Sequence, residues 1–418
     1  MVNKELLRRM EEWKFEELPE LIPRNLDVRM GRDIVAIVGP RRAGKTYFMY
    51  QKMKELGVRE MYVDFEDIVY RNYNPKDIID AYIEVFGREP KYLFLDEVQN
   101  LKDWGVLLRT LHNKGKYKIM ITGSSSSLFI EKISKELRGR YISKILLPFS
   151  FKEYLKMKNL SMDNISEVRI LSELRKYLEF GGYPEVIKCN ENIEKKEKLR
   201  SIYETTLYRD IIERGRVRER EIMEFILRYL ISNSGNRVSV SKLSRIIEST
   251  FYKISKRTVW KYYNLAKSSL AIFDVPIFTH SRKKEMLIPR KIYAVDTGIY
   301  SFVSTKKNFG IAMENVVFLE LMRRKNFEDI SVRYYYNDRY EIDFVVLEKG
   351  EIRELIQVSY DLDDTNTYKR EVDSLVNFAK KCMCENLKII NWDLEEEKTI
   401  RGKKIRFIPL WKYLLGDV

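Results

Sequence analysis

The 418-residue sequence predicts an α/β protein: a parallel-sheet phosphate-binding domain, a helical connector, a basic helix–helix–strand–strand module and a second α/β domain. Three observations lead there. The β-branched run Ile34-Val35-Ala36-Ile37-Val38 passes directly into Gly39-Pro40-Arg41-Arg42-Ala43-Gly44-Lys45-Thr46 and then into a helical stretch from Tyr47 to Glu55. A second apolar run, Tyr92-Leu93-Phe94-Leu95, ends in Asp96-Glu97. Between Arg237 and Lys291, thirteen Lys or Arg stand against three acids, a net of +10 out of the chain's +15.

The first run reads as a buried strand, and the octapeptide fits G-x-x-x-x-G-K-[ST] without a mismatch. Between a strand and a helix, backbone N–H groups of such a loop point at the phosphates of a nucleoside triphosphate. Gly39, Pro40, Arg41, Arg42, Ala43, Gly44, Lys45 and Thr46 are therefore the expected ATP cradle, with Lys45 adding charge at the β- and γ-phosphates. Thr46 and Asp96 are the expected Mg²⁺ ligands, and Glu97 the group that polarises the attacking water. A third strand, Lys118-Ile119-Met120-Ile121, runs into Thr122-Gly123-Ser124-Ser125-Ser126-Ser127. It is expected to set small hydroxyls between the two nucleotide motifs, with Ser124 at the ligand, although a serine run is also ordinary turn material.

Together with Leu95-Asp96-Glu97-Val98-Gln99-Asn100, Leu137-Arg138-Gly139-Arg140-Tyr141 and the segment Pro148 to Tyr154, these motifs resemble prokaryotic AAA-type ATPases of the archaeal ATPase group. The resemblance covers nearly the whole chain and is strongest over residues 20–155. It implies a P-loop domain followed by a winged helix and a C-terminal domain with a restriction-endonuclease-like fold. It also implies that Arg138 or Arg140 contacts the γ-phosphate as an arginine finger or sensor, within one chain or from a neighbour in an oligomer. The expected boundaries are residues 1–155 for the ATPase domain, 156–220 for the connector or lid, 221–300 for the winged helix and 301–418 for the endonuclease-like domain.

The composition fits this layout. Hydrophobic residues make up 44% and charged residues 33%, and no apolar run approaches a membrane span. Three cysteines and two histidines exclude a disulfide framework and a four-ligand zinc site. No secretory leader is legible, so a cytoplasmic location is expected, with no membrane partner.

In the connector, Gly181-Gly182-Tyr183-Pro184 is expected to act as a hinge or lid edge. In the basic module, Ser239–Ser249 and Lys256–Ala266 have helical spacing and two short strands follow, near residues 272–276 and 291–295. Helix, helix and a basic wing is the layout of groove-binding modules. Lys256, Arg257, Lys261, Arg282, Lys283 and Lys284 are the expected DNA-contacting residues, meeting phosphates and releasing counterions. A winged helix serving protein contacts is the other reading of the same pattern.

The C-terminal pattern has the layout of a PD-(D/E)xK nuclease: a helix containing Glu314, a hairpin with Asp343 on its second strand, then a strand with Gln357 and Ser359. Gln357 stands where the second acid belongs and Ser359 where the lysine belongs. Glutamine weakens hard-cation binding, and serine cannot supply a cation beside the scissile phosphate. Cleavage is therefore expected to be lost, with Lys369 or Lys380 as possible substitutes. Three functions remain open: an ATP-driven DNA-binding switch, an ATP-gated metal-dependent nuclease using Glu314, Asp343 and Gln357, and a signalling ATPase with protein partners.

Overall fold

The computed structural model describes residues 3–57, 59–124, 133, 135–137, 139–161 and 165–416. Two compact units divide the chain, Met1–Leu146 and Leu147–Val418.

The first unit alternates strands and helices, as apolar runs punctuated by glycine demand. Its helices include α1 (Lys4–Phe15), α2 (Lys45–Leu56), α3 (Ile68–Arg71), α4 (Pro75–Phe86) and α5 (Trp104–Lys114). Its strands are β1 (Ile34–Gly39), β2 (Met61–Asp64), β3 (Tyr92–Asp96), β4 (Lys118–Ser124) and β5 (Tyr141–Ile145). The five strands form one sheet in the order β2-β3-β4-β1-β5, and every pairing is parallel. A parallel sheet is covered on both faces, and β1 is buried at all six positions. Its core includes Trp13, Val35, Ile37, Phe48, Met49, Phe94, Met120 and Leu146. The order places β4 between β1 and β3, so the C-terminal ends of all three strands lie side by side.

The second unit begins with α6 (Phe151–Met157), α7 (Glu167–Phe180), α8 (Pro184–Lys188) and α9 (Asn192–Thr205), which runs into a π-helical turn, Thr206–Glu213. Then follow α10 (Arg220–Ser232), β6 (Arg237–Val238), α11 (Val240–Thr250), α12 (Lys256–Ser268), β7 (Ile272–Val275), α13 (Arg282–Leu287) and β8 (Arg290–Ala294). Strands β6, β8 and β7 form a three-stranded antiparallel sheet with β8 in the middle. Ser239 and Ser255 cap α11 and α12 through their side chains, as hydroxyl residues at helix starts do.

After α14 (Thr297–Val303) and α15 (Phe309–Arg324) comes a six-stranded mixed sheet. Its strands are β9 (Ile330–Tyr336), β10 (Glu341–Glu348), β11 (Glu351–Val358), β12 (Leu387–Asn391), β13 (Glu396–Ile400) and β14 (Lys403–Pro409). Their order is β13-β14-β12-β11-β10-β9. Helix α16 (Thr365–Cys382) packs Val372, Leu375, Val376 and Ala379 onto the sheet, and α17 (Leu410–Leu415) closes the chain. Cys382 and Cys384 are free.

Two features depart from the sequence expectations. Gly181 and Gly182 are buried rather than hinge-like. The Gly182 N–H donates to Asp296 Oδ2 at 2.7 Å, and its carbonyl accepts from Phe149 N at 2.8 Å. A Cβ on Gly182 would sit 2.2 Å from the Phe149 carbonyl oxygen, so glycine is required there for close packing. The segment carrying Arg282, Lys283 and Lys284 is a short helix, not an open loop.

Candidate nucleotide site and its relatives

Strand β1 ends at Gly39, whose Cα pairs with that of Ser124 on β4. A Cβ at position 39 would lie 2.1 Å from the Leu146 carbonyl oxygen, so only glycine lets the chain turn away beside that residue. Arg42 (φ 65°) and Gly44 (φ 93°) take left-handed conformations that curl the loop back onto the start of α2. Gly44 offers no side chain to cap α2, so the first-turn N–H groups and the positive end of the helix dipole are left for an anion. Arg24 secures the loop from outside, its Nη1 donating to the Ala43 carbonyl at 2.7 Å. Arg41 pairs with Glu66 at 3.1 Å.

Lys45 opens α2 and is buried. Its Nζ lies 3.3 Å from the Gly39 carbonyl, 3.4 Å from that of Pro40 and 3.4 Å from Glu97 Oε1. The ammonium is thus held across the loop opening, against the acid that follows β3.

Asp96, 2% exposed at the end of β3, is the hub. Its Oδ2 accepts from Thr46 Oγ1 at 2.6 Å and from the Tyr62 hydroxyl at 3.1 Å. Its Oδ1 accepts from the buried Thr122 hydroxyl and from Glu97 N at 3.1 Å. Thr122 Oγ1 in turn accepts from Glu97 N at 2.9 Å. Burial pushes the Asp96 carboxyl up, and the charge of Glu97 adds to this; Thr122, Thr46 and Lys45 work against it. Thr46 and Asp96 therefore present two hard oxygen donors side by side, a donor set that suits Mg²⁺.

Glu97 takes a left-handed backbone conformation (φ 48°), and its Oε2 accepts a hydrogen bond from Gln99 Nε2. Asp64, at the end of β2, is in Cα register with Asp96. Burial raises its pKa to about 6, as do the charges of Asp96, Glu66 and Glu97; a bond from Glu66 N opposes the rise. Three acids thus crowd the ends of β2 and β3, at the same end of the sheet as the cradle.

The fold gathers Lys45, Thr46, Asp96 and Glu97 at one end of the sheet. Thr122, Gln99 and Tyr62 join them and were not singled out in the sequence. Thr122 was legible as part of the hydroxyl-rich run, but only the strand order shows that β4 carries it against Asp96. The Ser124 side chain, Ser125–Ser127 and Arg138 lie outside the described residues.

Arg140 lies away from the cradle, which leaves no room for the expected contact within one chain. Its carbonyl accepts from Ile34 N at 3.1 Å, at the N-terminal end of β1. Gly39 ends the same strand, roughly 17 Å away at the usual rise per residue. Within one chain the Arg140 guanidinium does not reach a γ-phosphate bound at Lys45, because β5 runs parallel to β1 and begins at the opposite end of the sheet.

In the second unit the expected basic residues are all on the surface. Lys256, Arg257 and Lys261 on α12 and Arg282, Lys283 and Lys284 on α13 are exposed, as is half of Trp260. Other cations of the basic stretch are used internally: Lys267 and Arg290 pair with Asp274 at 2.6 and 3.4 Å, and Lys291 is buried. Asp343 and Glu314 do converge, but on Lys291, and Gln357 accepts from the Asp343 N–H beside them. Lys369 and Lys380, the expected substitutes for a missing nuclease lysine, are exposed on α16.

A profile described as an AAA domain matches residues 31–155. Two domains of unknown function follow, DUF8612 at residues 171–309 and DUF4143 at 309–413. The uncharacterized protein MJ1544 of Methanocaldococcus jannaschii is 33% identical over 410 residues, covering 95% of this chain and 91% of that protein. An uncharacterized protein of Haemophilus influenzae is 27% identical over 391 residues, covering 90% of this chain and 94% of its own. Among solved structures, the Walker-type ATPase paby2304 of Pyrococcus abyssi aligns at 16% identity with a TM-score of 0.41, over 72% of this chain and 96% of that one. Among the described residues, no helix is long and apolar enough to cross a membrane.

Proposed function

This chain belongs to one family with MJ1544 and carries an AAA-type P-loop domain, and on that premise we propose that it hydrolyses ATP to drive a DNA-bound conformational switch. The observation that carries the nucleotide half is the chain of hydrogen bonds Thr46–Asp96–Thr122–Glu97, which ties the start of α2 to the ends of β3 and β4. Mg²⁺ held by Thr46 and Asp96 would offset charge on the phosphate oxygens. Lys45 leaves Glu97 and the loop carbonyls to meet the β- and γ-phosphates. Glu97, released from Lys45 but still oriented by Gln99 and by its backbone bond to Thr122, accepts a proton from the attacking water. Asp96 and Thr122 hold that geometry without touching the phosphate.

DNA is the proposed partner of the second unit. The order α10, β6, α11, α12, β7, α13, β8, with β8 central in its sheet, supports reading residues 221–300 as a winged helix. The six exposed cations of α12 and α13 have no ion-pair partner among the described residues, which suits phosphate contacts. Trp260, exposed between Arg257 and Lys261, adds an aromatic face. The cytoplasm is the proposed location.

The test is ATP turnover by the full chain with Mg²⁺, with and without duplex DNA, while the DNA is followed for cutting. Turnover raised by DNA that stays intact supports the switch. Turnover indifferent to DNA, with no salt-sensitive DNA binding, would move the function toward protein partners. Cutting that Asp343→Ala abolishes would establish the nuclease instead.

A further inference from the structure

The carboxylates of the C-terminal domain surround a lysine that comes from outside it. Strand β8 turns Lys291 inward, where it is 2% exposed. Its Nζ lies 2.7 Å from Asp343 Oδ1, 2.8 Å from Glu314 Oε1 and 3.0 Å from Glu341 Oε1. An ammonium has three N–H donors, and here each has a carboxylate oxygen. Groups beside them are paired as well. Asp343 Oδ2 accepts from Val358 N at 3.0 Å, and Asp343 N donates to Gln357 Oε1 at 2.7 Å. Gln357 Nε2 donates to Glu371 Oε2 at 2.5 Å, and Arg370 pairs with Glu371 at 2.7 Å. The Tyr293 hydroxyl donates to Glu314 Oε1 at 2.7 Å.

Acids from α15 and β10 converging on one point form the oxygen cage a hard divalent cation takes in a nuclease of this layout. The residues do not fit a metal here, because the centre of the cage is filled. No group of three His, Cys, Asp or Glu side chains among the described residues is arranged to hold a metal ion. Burial alone would favour the neutral amine. Asp343 and Glu314, followed by Tyr293 and Glu341, outweigh that and raise the Lys291 pKa well above its ordinary value, so the ammonium persists.

We infer that Lys291 is a built-in cation that permanently occupies a divalent-metal cage, so that the C-terminal domain performs no metal-dependent cleavage. The same ammonium is a clamp. It pins β8, and through it α13 with Arg282, Lys283 and Lys284, to the six-stranded sheet. Neighbouring contacts run the same way: Phe278 N donates to the Tyr334 carbonyl at 2.6 Å, and the Arg237 guanidinium lies 3.3 Å over the Tyr336 ring. Asn315 bonds both backbone groups of Ala294 at 2.8 and 3.0 Å. The basic surface and the C-terminal sheet therefore move as one piece. None of this depends on the nucleotide reading of the first unit.

Mn²⁺ binding to the full chain without nucleotide, followed by electron paramagnetic resonance, tests the inference. Wild type and Asp343→Asn should take up Mn²⁺ identically, since any ion bound elsewhere is common to both. Lys291→Ala should melt at a lower temperature, gain Mn²⁺ affinity by about ten-fold or more, and recover its melting point with the ion. Adding Asp343→Asn to Lys291→Ala should remove that gain. Uptake by wild type that depends on Asp343 would overturn the inference, even if the Lys291 variant does not fold. A folded Lys291→Ala protein that neither loses stability nor gains Mn²⁺ would overturn it too.

Discussion

Thr122→Val is the sharpest probe of how the nucleotide site is built. Valine keeps the shape and the β-branching of threonine, so β4 should form as before. What disappears is one hydroxyl with no solvent exposure, which donates to Asp96 Oδ1 and accepts from Glu97 N at 2.9 Å. Glu97 N keeps a bond to Asp96 Oδ1 at 3.1 Å, but Asp96 Oδ1 loses its hydroxyl donor in a buried setting. Losing a hydrogen bond to a charged group costs about 1.5–3 kcal/mol, so a loss of that order is expected in the first unit. That bond also helps hold Glu97 in its left-handed conformation, so turnover should fall by about 10–100-fold, a part of the roughly 10²–10⁴-fold that a positioned general base contributes. Nucleotide affinity should change little, because Lys45 and Thr46 are untouched. Urea titration, nucleotide binding and steady-state turnover separate the three effects, and Thr122→Ser should restore most of each. A valine variant as stable and as active as wild type would refute the claim that Thr122 links Asp96 to Glu97.

The other predictions concern charge. Lys45→Ala should abolish turnover and weaken triphosphate binding, while Glu97→Gln should bind triphosphate and turn it over at least about 100-fold more slowly; a normal rate for the glutamine variant would remove Glu97 from the water-activating role. Burial, reinforced by Asp343 and opposed by Lys291, raises the Glu314 pKa above its ordinary value. Its protonated form is therefore favoured in the folded state, and the associated stability is greatest below the ordinary carboxylate pKa and declines as pH rises toward 7. Glu314→Gln should flatten the stability profile between pH 5 and 7 by on the order of 1 kcal/mol, read by urea midpoints; an unchanged slope would place the titration elsewhere. Lys283→Glu with Lys284→Glu should weaken duplex binding at low salt and reduce the log–log salt slope by about 0.9 for each phosphate that the variant no longer neutralises; unchanged binding would move the surface away from α13.

The local sequence by itself determined the cradle and its acids. A β-branched strand, a glycine-bounded loop and Lys45-Thr46 at a helix start are fixed by backbone conformations that only short-range residue choices satisfy. The apolar run ending in Asp96-Glu97 is legible for the same reason, as are the serine-capped helices of the basic module. Tertiary structure alone decided which residues meet. Strand order set Thr122 of β4 against Asp96 of β3, 26 residues apart in sequence, and carried Arg140 to the far end of β1. Gly181 and Gly182 look like a hinge until Asp296, more than a hundred residues later, accepts the Gly182 N–H. Lys291 reads as one more cation in a basic stretch. Its partner Asp343 is 52 residues away, and only the packing of β8 against β10 and α15 turns that lysine from a surface charge into the centre of a carboxylate cage. Local patterns fix what a segment can be, but charges in folded interiors are neutralised by partners that chain closure selects, and spacing along the sequence does not encode them.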